Sequence, residues 1–155
     1  MKINFKVLPL DSSLFDSFNS LSDCQLQYAK WIKVDACPGY PCRVSLEDAK
    51  VGERVLAVTF MHHTANTPYQ SSGPIFVREK AKQAITEVNE IPHMLQHRLL
   101  SIRGYSSEGI MLEAEIAEGA MLEKLISSMF QNPEIEYIHI HNAKPGCFNC
   151  SVVRA

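Results

Sequence analysis

The chain has 155 residues, 46% apolar and 21% charged, with a net charge of −2 and a pI near 6.3. That composition belongs to a globular core rather than a disordered segment, and the length reads as one domain, 1–155, burying roughly two thirds of its unfolded surface. No basic stripe favours nucleic acid, and no apolar run approaches the ~20 residues that span a bilayer.

Residues 2–9 alternate, with Ile3, Phe5 and Val7 on one face, and predict a first strand. The same alternation lacks the uninterrupted apolar run of a secretory signal, so a cytoplasmic location is expected. Asp11 or Ser12 caps a short helix presenting Leu14, Phe15, Phe18 and Leu21, and Ser22-Asp23 starts a second helical turn. Trp31, Ile32 and Val34 begin a strand that runs into Cys37. Pro38-Gly39 and Pro41 make 37–42 a bent loop, 43–46 resumes extended structure, and 47–52 turns. Residues 53–61 are apolar on both faces and predict a strand buried on both sides. Residues 62–74, HHTANTPYQSSGP, form a polar, turn-rich loop of a length that often carries function.

Residues 75–78 predict a short strand, 81–85 a frayed helix, and Pro92 opens a short helix over Met94 and Leu95. Residues 99–105 and 110–116 predict a hairpin. Met121, Leu122, Leu125, Ile126, Met129 and Phe130 form one helical stripe over 119–130, which Asn132-Pro133 stops. A strand over 135–142, a Lys144-Pro145-Gly146 turn and a strand over 147–154 complete a β-β-α-β-β half. The fold class is therefore α+β, with a mainly antiparallel sheet and short N-terminal helices.

The run DACPGYPCRVSLEDAKVGERVL, then TPYQSSGPIFVRE, then YIHIHNAKPGCF resembles a bacterial family catalogued as domain of unknown function 1203. The likeness extends from the LSDCQL region to the last residue, and three phrases in this order make it specific. It implies a small soluble bacterial domain. It carries over no activity and no catalytic residue, so the site candidates rest on chemistry.

Tyr137, His139 and His141 share one face of a strand, opposite Ile138 and Ile140, and two imidazoles side by side can begin a metal site. A third ligand would come from His62, His63 or a cysteine such as Cys147. The competing reading puts these histidines on a polar or solvent-facing side. The five cysteines, Cys24, Cys37, Cys42, Cys147 and Cys150, are expected reduced. Cys37-x4-Cys42 and Cys147-x2-Cys150 have spacings within reach of a four-thiolate structural zinc, although cysteines three apart on a strand face opposite sides. Cys42 beside Arg43, or Cys147, is a candidate nucleophile, with His62, His63, His139 or His141 as base; otherwise Cys42 is core and Arg43 pairs with Glu47, Asp48 or Glu53. Arg43, Tyr69, Ser71, Ser72 and Asn142 are candidates to hold a small anionic molecule.

Two functions stay open at this level. One is a small ligand-binding or enzymatic domain with a polar pocket where the 37–43 loop, the 62–74 loop and the 137–142 strand converge. The other is a non-catalytic structural or protein-interaction module. Oligomeric state is not encoded in any pattern of the chain.

Overall fold

A computed structural model describes residues 1–155 and arranges eight strands in two antiparallel sheets. The strands are β1 (Phe5–Leu8), β2 (Ala29–Lys33), β3 (Arg54–His63), β4 (Ser71–Arg78), β5 (Leu99–Tyr105), β6 (Met111–Glu118), β7 (Tyr137–Asn142) and β8 (Phe148–Arg154). The larger sheet has the order β1-β8-β7-β5-β6, the smaller β2-β3-β4. Helix α1 is His93–Gln96; α2, Leu122–Met129, follows a 3-10 turn over Gly119–Met121. The fold is α+β, and β5-β6-α2-β7-β8 is its C-terminal β-β-α-β-β unit. No helix is long and apolar enough to cross a membrane.

Helix α2 buries its stripe on one face of the larger sheet. Leu122, Ile126, Met129 and Phe130 pack with Leu100, Ile102, Ile138, Ile140, Cys150 and Val152. Because strand side chains alternate, burying Ile138 and Ile140 against α2 turns Tyr137, His139 and His141 to the other face. The smaller sheet has its own core of Phe15, Cys42, Val44, Leu56, Val58, Ile75 and Val77. The histidine face of β7 therefore looks not to solvent but towards the end of β3.

Three local expectations change. Residues 43–46 form a turn, with Leu46 at φ +55°, because the Cys42 and Arg43 amides donate to Glu47 and Phe76 carbonyls rather than to one flanking strand. Residues 79–90 form no helix. The Ala84 and Asn89 amides donate to the distant Val44 and Phe5 carbonyls, and the Thr86 hydroxyl donates to Val7 at 2.6 Å. Those long-range bonds replace the i to i−4 ladder. Strand β3 runs on through His63, which shortens the polar loop to 64–70 and puts Ser71 and Ser72 in β4.

Where the 3-10 turn passes α1, the backbones nearly touch. A Cβ at Gly119 would lie 1.9 Å from the Leu95 carbonyl oxygen and 2.7 Å from Gln96 backbone atoms. Backbone cannot swing aside as a side-chain tip can, so Gly119→Ala is expected to cost roughly 3 kcal/mol, or about 6–12 °C in Tm. Gly73→Ala, where nothing lies within 4 Å, is the control and should leave the thermal transition in place.

Candidate metal centre

Strand β3 ends in a bulge. Met61 pairs with Ser72 and His63 with Ser71, leaving His62 as the extra residue. On a regular strand His62 and His63 would point to opposite faces; the bulge breaks that alternation. Both imidazoles meet β7. The His62 ring lies 4.9 Å from His141 and 6.2 Å from His139, and the His63 ring 5.3 Å from His139. A second irregularity in β8 pairs Phe148 with His141 and leaves Asn149 extra. The Phe148 ring stacks on His62 at 5.2 Å and meets His139 edge-on at 5.0 Å.

His62, His139 and His141 each offer a ring nitrogen, and these three atoms lie within 4.8 Å of one another. Nδ1 of His62, Nδ1 of His139 and Nε2 of His141 are buried without any hydrogen-bond partner. The tautomer of His141 is set by its other nitrogen, Nδ1, which donates to the Gly146 carbonyl at 2.8 Å. A carbonyl only accepts, so the His141 lone pair is on Nε2, the arrangement in which a backbone carbonyl orients a metal-ligating imidazole.

Burial pushes the pKa of His139 and His141 down to about 3 and that of His62 down to about 4, with Arg103 and neighbouring histidines adding to each shift. All three rings are neutral at pH 7 and keep the lone pairs a metal needs. Ligand atoms on one tetrahedral zinc are roughly 3.3 Å apart, so the widest pair must close by up to about 1.5 Å. Without a guest, each orphaned nitrogen costs ~1–3 kcal/mol of lost solvation. Buried polar atoms in folded proteins are normally paired, and an orphaned nitrogen on each of three neighbouring imidazoles requires a reason.

His63 is differently placed. Its Nδ1 donates to the Tyr69 carbonyl at 2.8 Å, and the Tyr137 hydroxyl donates to its Nε2 at 2.6 Å. Both nitrogens are occupied, so His63 is not a ligand here but a bracket that holds Tyr137. Burial raises the Tyr137 pKa, which keeps that phenol a donor. The loop over this corner is tied to the β5-β6 turn, where the Thr67 hydroxyl donates to the Gly109 carbonyl at 3.1 Å.

The remaining candidates separate. Cys42 is fully buried and its sulfur accepts from the Ser45 and Arg78 amides at 3.4 and 3.3 Å, so it is a core residue and no accessible nucleophile. Cys42 and Cys150 belong to different cores while Cys37 is exposed, so no four-thiolate site assembles. Cys147 is not in the imidazole cluster; its sulfur accepts from Asn142 Nδ2 at 3.2 Å. Ser71 and Ser72 pair with β3 and make no side-chain hydrogen bond, and Tyr69 contributes only its carbonyl to His63.

The segments expected to share one pocket meet at two hollows. One, of about 730 Å³, is lined by His62, His63, Thr64, Tyr137, His139 and Ser151 among others. Arg43, Cys147 and Asn142 line the second. Arg103 is a site residue the sequence did not mark. It pairs with His139 across β5 and β7, and its charge bears on all three imidazoles. Strand register places it there, and no local pattern carries that information.

A family model described as "Protein of unknown function (DUF1203)" matches residues 39–154. No curated protein and no solved structure matches the chain.

Proposed function

The chain belongs to the DUF1203 family of proteins of unknown function, and we propose that within it His62, His139 and His141 form a zinc-type metal centre that binds a small anionic molecule. The observation that carries this reading is the set of three buried ring nitrogens with no other partner. Three imidazoles suit zinc, and three protein ligands leave a fourth position open, as in sites that bind or activate small molecules.

The charge balance says what that position accepts. The imidazoles are neutral, and the nearby guanidinium of Arg103 adds a positive charge. The ligand set thus carries no negative charge, although Glu136 lines the same hollow, and this favours a carboxylate, a phosphate or another anion as fourth ligand. His62 and His139 also line the 730 Å³ hollow, a volume suited to a small organic molecule. Whether the bound molecule reacts depends on groups beside it. The Tyr137–His63 pair on the same hollow is the candidate proton carrier.

The competing reading is a structural module in which the imidazoles are packing material, favoured by the parallel stacking of Phe148 on His62. Elemental analysis of untagged protein separates the two. About one zinc per chain, replaceable by cobalt with the visible spectrum of a four-coordinate nitrogen site, is the expected result. Substoichiometric metal, with no shift in Tm on adding zinc, cobalt, nickel or copper, would leave the packing reading.

A further inference from the structure

The second hollow, of about 610 Å³, shares no lining residue with the first, and one charged side chain on its wall has no carboxylate partner. Arg43 is 1% exposed. Its Nε donates to the Phe148 carbonyl at 2.7 Å and its Nη1 to the Pro41 carbonyl, while Nη2 has no oxygen acceptor and the Cys147 sulfur is the side-chain partner beside the guanidinium. Carbonyl oxygens satisfy N–H groups but do not balance a charge, and a buried guanidinium without a counter-ion is costly.

The acids the sequence offered to Arg43 are engaged elsewhere. Asp48 is held by Arg98 at 2.6 and 3.1 Å and by His97 at 3.1 Å. Glu47 and Glu53 bind Arg78. No acidic residue lines the hollow, whereas Arg98 and Lys144 do, and Lys144 forms no ion pair. Burial lowers the Arg43 pKa, and the only offsetting neighbours are the Cys147 and Cys42 thiols. The Asn142 amide donates one N–H to Cys147 Sγ and accepts from Asn149 Nδ2 at 2.9 Å, which leaves one Nδ2 hydrogen without a protein acceptor.

From this geometry we propose that the hollow is a binding site for a small organic anion, whose carboxylate meets Arg43 and Lys144 while its apolar body lies against Phe76, Pro41 and Pro145. The Phe76 ring supports the guanidinium at 5.8 Å, giving a flat floor beside the charge. One Nη2 without an oxygen partner and one ammonium match the two oxygens of a carboxylate, and the prolines and Phe76 match a flat apolar body.

Benzoate is the probe, and benzamide, its neutral counterpart of equal shape, is the control. Titration followed by amide chemical shifts and by Tm is expected to show benzoate binding about tenfold or more tighter than benzamide. Lys144→Met, at an exposed position, should weaken benzoate severalfold with an unchanged circular dichroism spectrum. Arg43→Met should abolish the response. Should Arg43→Met not fold, Lys144→Glu serves in its place and should abolish benzoate binding. A benzoate response retained in His139→Leu separates this site from the metal centre. Equal affinity for benzoate and benzamide, or benzoate binding indifferent to Lys144→Met and Lys144→Glu, would overturn the proposal, as would a response to inorganic phosphate alone.

Discussion

His139→Leu is expected to lower metal affinity by at least two orders of magnitude while leaving the metal-free protein as stable as before, or more stable by ~1 kcal/mol. The argument rests on what His139 lacks. Its side chain makes no hydrogen bond, its Nδ1 is a buried orphan, and the residue is 5% exposed. Leucine has a similar volume and its surroundings include the apolar Phe148 ring, so the exchange leaves little cavity and removes an unsatisfied polar atom. His141 would be a poorer choice, because its Nδ1 also anchors the β7-β8 turn through Gly146. The measurement is a pair of denaturant titrations. In chelator the two proteins should superpose or favour the variant. In zinc at a hundredfold excess over Kd, the unaltered protein should gain about 2.7 kcal/mol and the variant nothing. A loss of several kcal/mol in chelator would make His139 a packing residue and end the metal reading.

How far the chain announced this site depends on which interactions are local. The alternation Tyr137-Ile138-His139-Ile140-His141 sets two imidazoles on one face from period alone, and the α2 stripe explains which face is core. Nothing in that pattern says what covers the opposite face. The cover is the end of β3, from the other sheet, brought there by tertiary packing. The choice of His62 over His63 is likewise invisible, because it turns on a bulge of one residue and on the Tyr69 and Tyr137 groups that occupy His63. Arg43 shows the same limit from the other side. Three acids follow it within ten residues, yet Arg78, 31 residues from Glu47 and 25 from Glu53, took two of them, and Arg98, 50 residues from Asp48, took the third. Segments 43–46 and 81–85 depart from their local patterns for a related reason, since the Arg43 and Ala84 amides bond to distant chain.

The buried, neutral histidines also make the metal-free protein acid-sensitive. A group whose folded pKa is depressed contributes stability that is fully present above its unfolded pKa and is lost as pH falls towards the folded one. His139 and His141 fall from 6.5 to about 3. Between those values the unfolded chain takes up protons that the folded chain refuses, so stability drops with falling pH, by up to ~1.4 kcal/mol per pH unit for each ring. The two together should remove roughly 2–3 kcal/mol per unit below about pH 6; His62, partly exposed and shifted to about 4, adds less because solvent screens it. Urea midpoints in chelator between pH 8 and pH 4 should therefore be flat at first and then fall. His139→Leu should fall less steeply by about one proton's slope. Zinc should move the descent to lower pH, because a coordinated imidazole cannot take a proton until the metal leaves. A metal-free protein with midpoints flat down to pH 4 would mean that these rings accept protons in the folded state, and neutral lone pairs would then not be held ready for a metal.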